Sequence, residues 1–382
     1  MCYSTYMPNK CFKYRIYPTK AQETLLNNCL EECRWLYNHT LATRKDAWEQ
    51  EQRSVNWYQT KAAIPTLKME RPSLSNVHSQ VLQDVTMRVD LAYKAFFRRI
   101  KAGEDPGYPR FKGEGRYNSI TYPQYGNGAK LEENRLVISK IGAVRVKLPR
   151  ELCGKPKTVC IRRSSTGKWF ATFSCEYVPS PLPEEPKRIG IDVGTQTFAT
   201  LSTGEKIDNP RFFRKEQKAL AKAQRRLNKS KGQPKFRKVV SRVHERIANK
   251  RSDFAHKLSR QLVNTYGVIV FEKLDIKGMM SQHTVVFGNK LNKSIADVAW
   301  HQFAQFVSYK AADAGRIFLQ VDPRNTSKRC SRCSSIVPKE LGDRIHDCPH
   351  CGLVLDRDHN AAINILALGL QSIGLSVEAH AF

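Results

Sequence analysis

"IGIDVGTQTFATLSTG", Ile189 to Gly204, is two apolar runs joined by a glycine-containing turn, the pattern of a β-hairpin. Asp192 stands inside the first run, between Ile191 and Val193. A charge in a buried strand is costly without a partner, so the rest of the sequence has to supply one.

Downstream, residues 211–266 read as helical apart from a break at Gly232 to Pro234. Glu216 and Glu245 are nearly their only acids before Asp253. A solvated helix with paired charges alternates in sign, and this run does not, so it is expected to contact phosphates. Arg225, Arg226, Lys235, Arg237, Lys238 and Arg242 are the candidate contacts. "YGVIVFEKL" follows as a buried strand with Glu272 near its C-terminal end, then a helix closing at Gly315 and the strand "RIFLQVD". Strands and helices alternate around Asp192 and Glu272, as in an α/β layer.

Upstream, "CFKYRIY" (11–17) alternates apolar and basic residues and ends at Pro18, which predicts a strand. Thr19 is positioned to cap a helix whose Leu26, Cys29, Leu30, Cys33, Leu36 and Tyr37 recur near helical spacing. A second helix ends at Gly103; Val77, Val81, Val85, Val89 and Ala92 form one face, with Gln80 and Gln83 beside it. From Gly107 to about Pro181, short alternating segments predict an antiparallel barrel or sandwich, closed by the Pro-rich linker "PSPLPEEPKR".

The 382 residues are 41% hydrophobic and carry 64 Lys and Arg against 35 Asp and Glu, a formal charge of +29. That excess calls for a polyanionic partner, with nucleic acid the leading candidate. No stretch is long and apolar enough to span a bilayer and none resembles a signal peptide, so a cytosolic protein is expected. Among eleven cysteines, "CSRC" (330–333) and "CPHC" (348–351) are two C-x2-C pairs separated by 14 residues. Cys330, Cys333, Cys348 and Cys351 thus suit one tetrahedral structural Zn²⁺.

Beyond the second pair, "LDRDHNAAINILALG" places Asp358 at the start of a helix, where a carboxylate reads by default as an N-cap. Taken with Asp192 and Glu272 it completes three carboxylates on α/β elements of a basic chain. Such a set suits two Mg²⁺ ions that activate water and stabilise a leaving 3′ oxygen.

These residues, with "GIDVGTQTFATLS", "VIVFEKLDIKGM", "NTSKRCSRC", "CPHCGLVLDRDHNAAINI" and, more weakly, "PGYPRFK", resemble the TnpB proteins of bacterial insertion sequences, relatives of type V CRISPR effectors. The resemblance implies an RNase H-like (RuvC) nuclease with Asp192, Glu272 and Asp358 as its acidic triad; the helix-start argument favours Asp358 over the neighbouring Asp356. It also implies a guide RNA from the transposon end and cleavage of matching double-stranded DNA beside a short target-adjacent motif; one protein per RNA is expected separately, with no motif behind it. Gln80 and Gln83 are candidate readers of that motif, because Gln pairs bidentately with adenine.

The expected architecture is a multidomain α+β chain. An N-terminal antiparallel β-barrel (1–18 and 104–185) carries a helical recognition insertion (19–103), and a RuvC-like α/β domain (186–324 and 352–382) is interrupted by a zinc ribbon (325–351). A strand-transfer transposase and an RNA-guided repressor that does not cleave are the rival readings.

Overall fold

The computed structural model describes residues 9–276, 278–280, 289–340 and 342–375. They form two compact units that meet in sequence between Val178 and Pro179.

In the first unit, β1 (Asn9–Tyr17) buries Phe12, Tyr14 and Ile16 and turns Lys13 outward, as its alternation requires. It is the central strand of a seven-stranded sheet built with β2 (Ser119–Tyr122), β3 (Ala129–Glu132), β4 (Arg135–Ile138), β5 (Gly142–Lys147), β6 (Lys155–Arg163) and β7 (Trp169–Glu176), in the order β2-β6-β7-β1-β5-β4-β3. The two edge strands are consecutive in the chain, and the segment joining them nearly closes the sheet. Within it the Tyr125 amide donates to the Lys157 carbonyl on β6, while the Tyr125 hydroxyl accepts from the Leu131 amide on β3.

Thr19 starts α1 (Lys20–Glu51) through a reciprocal capping box with Gln22. Two short helices follow, α2 (Trp57–Ala62) and α3 (Ile64–Glu70), then α4 (Ser79–Lys101). Leu26, Cys33 and Leu36 of α1 and Val81, Val85 and Val89 of α4 share one core with Tyr122, Trp169 and Phe173 of the sheet. Cys29 and Cys33 are packing residues there, and burial pushes the Cys29 thiol up to about 11.

The second unit is built on the five-stranded order β10-β9-β8-β11-β12. The Asp192 hairpin is β8 (Arg188–Val193) and β9 (Thr197–Leu201), antiparallel with Ile191 opposite Leu201; β10 (Lys206–Asp208) extends it. On the other side β11 (Val268–Glu272) runs parallel to both β8 and β12 (Ile317–Val321). The basic run forms α5 (Phe212–Lys229) and α6 (Pro234–Thr265), the latter with proline in its first turn. Two further helices, α7 (Asn289–Val298) and α8 (Trp300–Ala314), precede β12. Helix α9 (Arg357–Ser372) follows a two-stranded ribbon of β13 (Ile345–Asp347) and β14 (Val354–Asp356).

Both faces of β11 are covered, which explains its unbroken apolar run. Ile269 and Phe271 pack with Leu262, Phe303 and Val307 of α6 and α8, whereas Val268 and Val270 pack with Ile365, Leu366 and Leu370 of α9. Two glycines let α9 lie directly on the strands. A Cβ on Gly190 would sit 2.2 Å from the Ala362 carbonyl oxygen, and one on Gly369 would sit 2.5 Å from a Val270 methyl. Gly190→Ala therefore has to push α9 off β8. It is expected to cost about 1–3 kcal/mol, measured by denaturant unfolding.

Candidate carboxylate centre and cysteine knuckle

Burial along β8 stops where the carboxylate begins: Ile189, Gly190 and Ile191 are buried, Asp192 and Val193 only half so. The parallel register pairs Ile191 with Phe271, so Asp192 and Glu272 come next, side by side at the C-terminal ends of neighbouring strands. This is where open α/β sheets place their ligand sites. Asp358 reaches the same place from the first turn of α9.

The electrostatics report the convergence. Burial pushes Asp192 well above the usual carboxylate range, the carboxylates of Glu272 and Asp358 push it further, and Arg357 opposes them. Burial also raises Glu272; the Thr326 hydroxyl, which donates to its Oε1 at 2.5 Å, pulls it back, and Asp358 raises it again. Arg357 also pairs with Asp358 at 3.2 Å. Three half-buried oxygen donors whose negative charges crowd at Asp192 are suited to a hard divalent cation, so the donor set fits Mg²⁺.

The capping role expected at the start of α9 falls to Asp356 instead. Its carboxylate accepts from the amides of Asp358 and His359 and pairs with Lys206 at 2.6 Å. Burial opposes ionisation there, but Lys206 and these amides hold the carboxyl below its ordinary range. Because Asp356 satisfies the helix end, the carboxylate of Asp358 is left for the centre.

Cys330, Cys333, Cys348 and Cys351 place their sulfurs within 4.8 Å of one another. Two of the separations are 3.6 Å (Cys330–Cys351) and 3.5 Å (Cys333–Cys348). A tetrahedron with metal–sulfur bonds of about 2.3 Å has edges of about 3.8 Å, so the cluster can hold a metal ion such as zinc. The two pairs are built alike. The Ser334 amide donates to the Cys330 carbonyl and the Gly352 amide to the Cys348 carbonyl, and both turn residues have positive φ. Hydrogen bonds from the side chain and backbone of Ser335 lower the Cys333 thiol to about 6. The Leu353 amide lowers that of Cys351, but burial and hydrogen bonds shared with the other three sulfurs outweigh it and push Cys351 up to about 12. Four sulfurs at these separations are a donor set that a single metal ion can close around.

Sequence reasoning missed the ties between knuckle and carboxylates. Asn360, fully buried, donates to the Arg329 carbonyl at 2.8 Å and accepts from the Ser331 amide at 3.0 Å. Asn364 donates to the carbonyls of Thr326 and Arg329. Together they bind α9 to residues 326–331, the segment that carries Thr326 at one end and leads into the first cysteine pair. "NAAIN" on a helix facing an apolar core was the available signal, because a buried Asn must find partners. Lys339 was also missed; burial and then the Arg357 charge lower its proton affinity, and the carboxylates of Asp343 and Asp358 oppose them. Thr326→Val removes the bond that lowers Glu272, so the acid limb of a cleavage pH profile is expected to move to higher pH. A profile superimposable on that of the unaltered protein would mean that the hydroxyl does not tune Glu272.

The other candidates are distributed as follows. Gln80 donates to Gln124 at 2.6 Å and Gln83 is half-buried on the same helix, both in the first unit. Arg225, Arg226, Lys235, Arg237, Lys238 and Arg242 are exposed on α5 and α6, which pack through Leu220, Val243 and Ile247. Glu216 accepts from Arg246 and Lys250 and so joins the two helices. Among the described residues no helix is long and apolar enough to cross a membrane.

Fold and site together define a mixed α/β protein with a nearly closed seven-stranded sheet, a three-carboxylate centre and a four-cysteine cluster. Residues 172–282 match a family described as "Probable transposase", residues 300–365 a "Cas12f1-like, TNB domain", and residues 7–53, which are largely β1 and α1, a "Helix-turn-helix domain". A "Putative RNA-guided DNA endonuclease" of Streptomyces pristinaespiralis is 37% identical over 95% of this chain and 90% of its own length. The "Putative RNA-guided DNA endonuclease InsQ" of Escherichia coli K12 is 31% identical over 94% and 92%. The chain belongs to this TnpB family. In fold it is similar to the mini-RNA-guided endonuclease CRISPR-Cas phi3, with a TM-score of 0.54 at 9% identity over 95% of this chain and 92% of the other.

Proposed function

We propose that this protein is an RNA-guided DNA endonuclease of a bacterial insertion sequence. The observation that carries the reading is the meeting of Asp192, Glu272 and Asp358 from two strand ends and a helix start in a chain of charge +29. On this reading residues 1–18 and 104–185 would be a wedge-like barrel, 19–103 a recognition insertion, 186–324 with 352–382 a RuvC-like domain, and 325–351 a zinc ribbon; within these bounds 1–8, 277, 281–288, 341 and 376–382 lie outside the described residues. The guide comes from the transposon end, and base pairing delegates sequence recognition to RNA. The protein holds backbones through cations such as Arg225, Arg226, Lys235, Arg237, Lys238 and Arg242, while Gln80 and Gln83 lie in the part that reads the target-adjacent motif.

Asp192, Glu272 and Asp358 would hold two Mg²⁺ ions, which supply charge that activates water and stabilises the leaving oxygen. The cysteines would hold one Zn²⁺ with no open position, so its role is structural. Water attacks phosphorus, the bond to the 3′ oxygen breaks, and a proton passes to that oxygen. Thr326 orients Glu272, Arg357 offsets part of the carboxylate charge, and Asp356 keeps α9 capped while Asp358 faces the reaction.

The test is to express the gene with its natural flanking DNA, sequence the RNA that copurifies, and present matching duplex DNA with Mg²⁺. A discrete RNA and cutting at the matched site support the reading. Strand-transfer products, or occupancy of matched DNA without cutting, would replace it with a transposase or a repressor.

A further inference from the structure

The apolar stripe of α4 outruns the core it packs on. Val81, Val85, Val89 and Tyr93 are buried. Phe96, Phe97 and Ile100 lie three, four and seven residues beyond Tyr93, on the same side of the helix. Phe96 is only half-buried, however, and Phe97 and Ile100 are 54% and 48% exposed.

The segment after the helix adds to this face. Tyr108 stands edge-on to Tyr93 and Phe96, with ring centroids 5.8 and 5.3 Å apart, and its hydroxyl lies 2.9 Å from that of Tyr93. It remains 44% exposed. Beneath, the Arg44 guanidinium lies 4.5 Å from the Tyr93 ring centre and Arg44 pairs with Asp90, which fixes the base of the cluster.

Cations flank the stripe on both sides. By helical position, Lys101 borders the stripe on one side, with Arg98 farther round behind it, and Arg99 borders the other. All three are exposed, and none makes an ion pair among the described residues. Aromatic residues and arginine are also enriched at protein interfaces, so charge decides the occupant: three exposed cations in a chain of +29 fit a polyanion. Exposed aromatic faces between cations are the arrangement that holds unpaired nucleotides, with bases on the rings and phosphates on the cations. A duplex keeps its bases stacked inside, so the fitting ligand is a single-stranded stretch of RNA.

We propose that Phe97, Tyr108 and Ile100 form a stacking platform for unpaired bases of the bound RNA, with Arg98, Arg99 and Lys101 on the flanking phosphates. The inference rests on the RNA-guided reading and adds to it a site on α4 away from the carboxylates.

The test uses the ribonucleoprotein purified from cells fed 4-thiouridine, irradiated and digested, together with rebinding of the extracted RNA to full-length protein. Crosslinked peptides are expected at Phe97 or Tyr108. Phe97→Ala with Ile100→Ala, both at exposed positions, is expected to weaken rebinding about tenfold with circular dichroism unchanged. Arg98→Gln with Arg99→Gln is expected to flatten the dependence of log affinity on log salt by about 1.4. Unaltered protein that holds RNA, with no adduct here and no change in the Phe97 and Ile100 variant, overturns the platform and leaves the guided reading standing. Unaltered protein that holds no RNA overturns both. A dimer seen by light scattering and abolished by Phe97→Ala and Ile100→Ala, with RNA affinity unchanged, overturns the platform in favour of a contact between copies.

Discussion

Asp192→Asn is expected to abolish DNA cleavage, by about 10³-fold or more, while raising the melting temperature of the cation-free protein. The two effects share a cause. Burial and the carboxylates of Glu272 and Asp358 raise the proton affinity of Asp192, so the folded chain binds more protons there than the unfolded chain does. Stability from such a group is fully present below its unfolded pKa and is lost as pH rises through the folded value. Without divalent cation, the protein should thus become less stable from the acid range toward neutrality, and Asn, with no charge to desolvate, removes that loss. About 1 kcal/mol regained in a unit of this size is a rise of roughly 2–4 °C. Thermal melts at acid and alkaline pH, with and without Mg²⁺, decide the matter. Mg²⁺ is expected to stabilise the unaltered protein more at the alkaline pH and the variant at neither. A variant that melts below the unaltered protein without Mg²⁺ would rule out like-charge crowding at this centre.

Cys348→Ser is expected to damage cutting as well as stability, although the knuckle contributes no carboxylate. Losing one of four sulfur ligands gives up the metal's contribution to folding, ~4 kcal/mol or more. The knuckle is tied to α9 by Asn360 and Asn364, and the same segment carries Thr326 to Glu272. Loosening it therefore disturbs two of the three carboxylates at once. Loss of an orienting partner of a metal ligand typically costs 10–100-fold, and cleavage is expected to fall by about that factor in protein that still holds RNA. Zinc content per chain, a melt and a cleavage rate on the same preparation test this. Full activity in a zinc-free variant would separate the knuckle from the chemistry.

What could be read in the sequence depended on how local each signal was. Asp192 betrayed itself because a carboxylate interrupts an apolar run, and the cysteines because their spacing is short and repeated. The α5–α6 break was legible as Gly232 to Pro234, and the Thr19 cap as a residue beside its helix. Asp358 and Asp356 were harder, since both stand at a helix start and only the hydrogen bonds show which one caps. Strand β3 is four residues with a single buried side chain, too little alternation to register. Thr326, Asn360 and Asn364 were invisible as site residues because the partner of each lies 29 to 54 residues away. The Gln80–Gln124 bond, across 44 residues, is of the same kind.

Helix α9 brings its carboxylate to the centre late in the life of the chain. Synthesis runs from the N-terminus at ~5–20 residues per second, so roughly ten to thirty seconds separate the making of Asp192 from that of Asp358. For most of that interval the first unit, complete in sequence at Val178, is free to fold, while the cutting site lacks a wall as well as a ligand. On the proposed reading, a chain still on the ribosome can begin to gather RNA before it is able to break DNA, and a transcript truncated ahead of α9 yields a binder that is no nuclease.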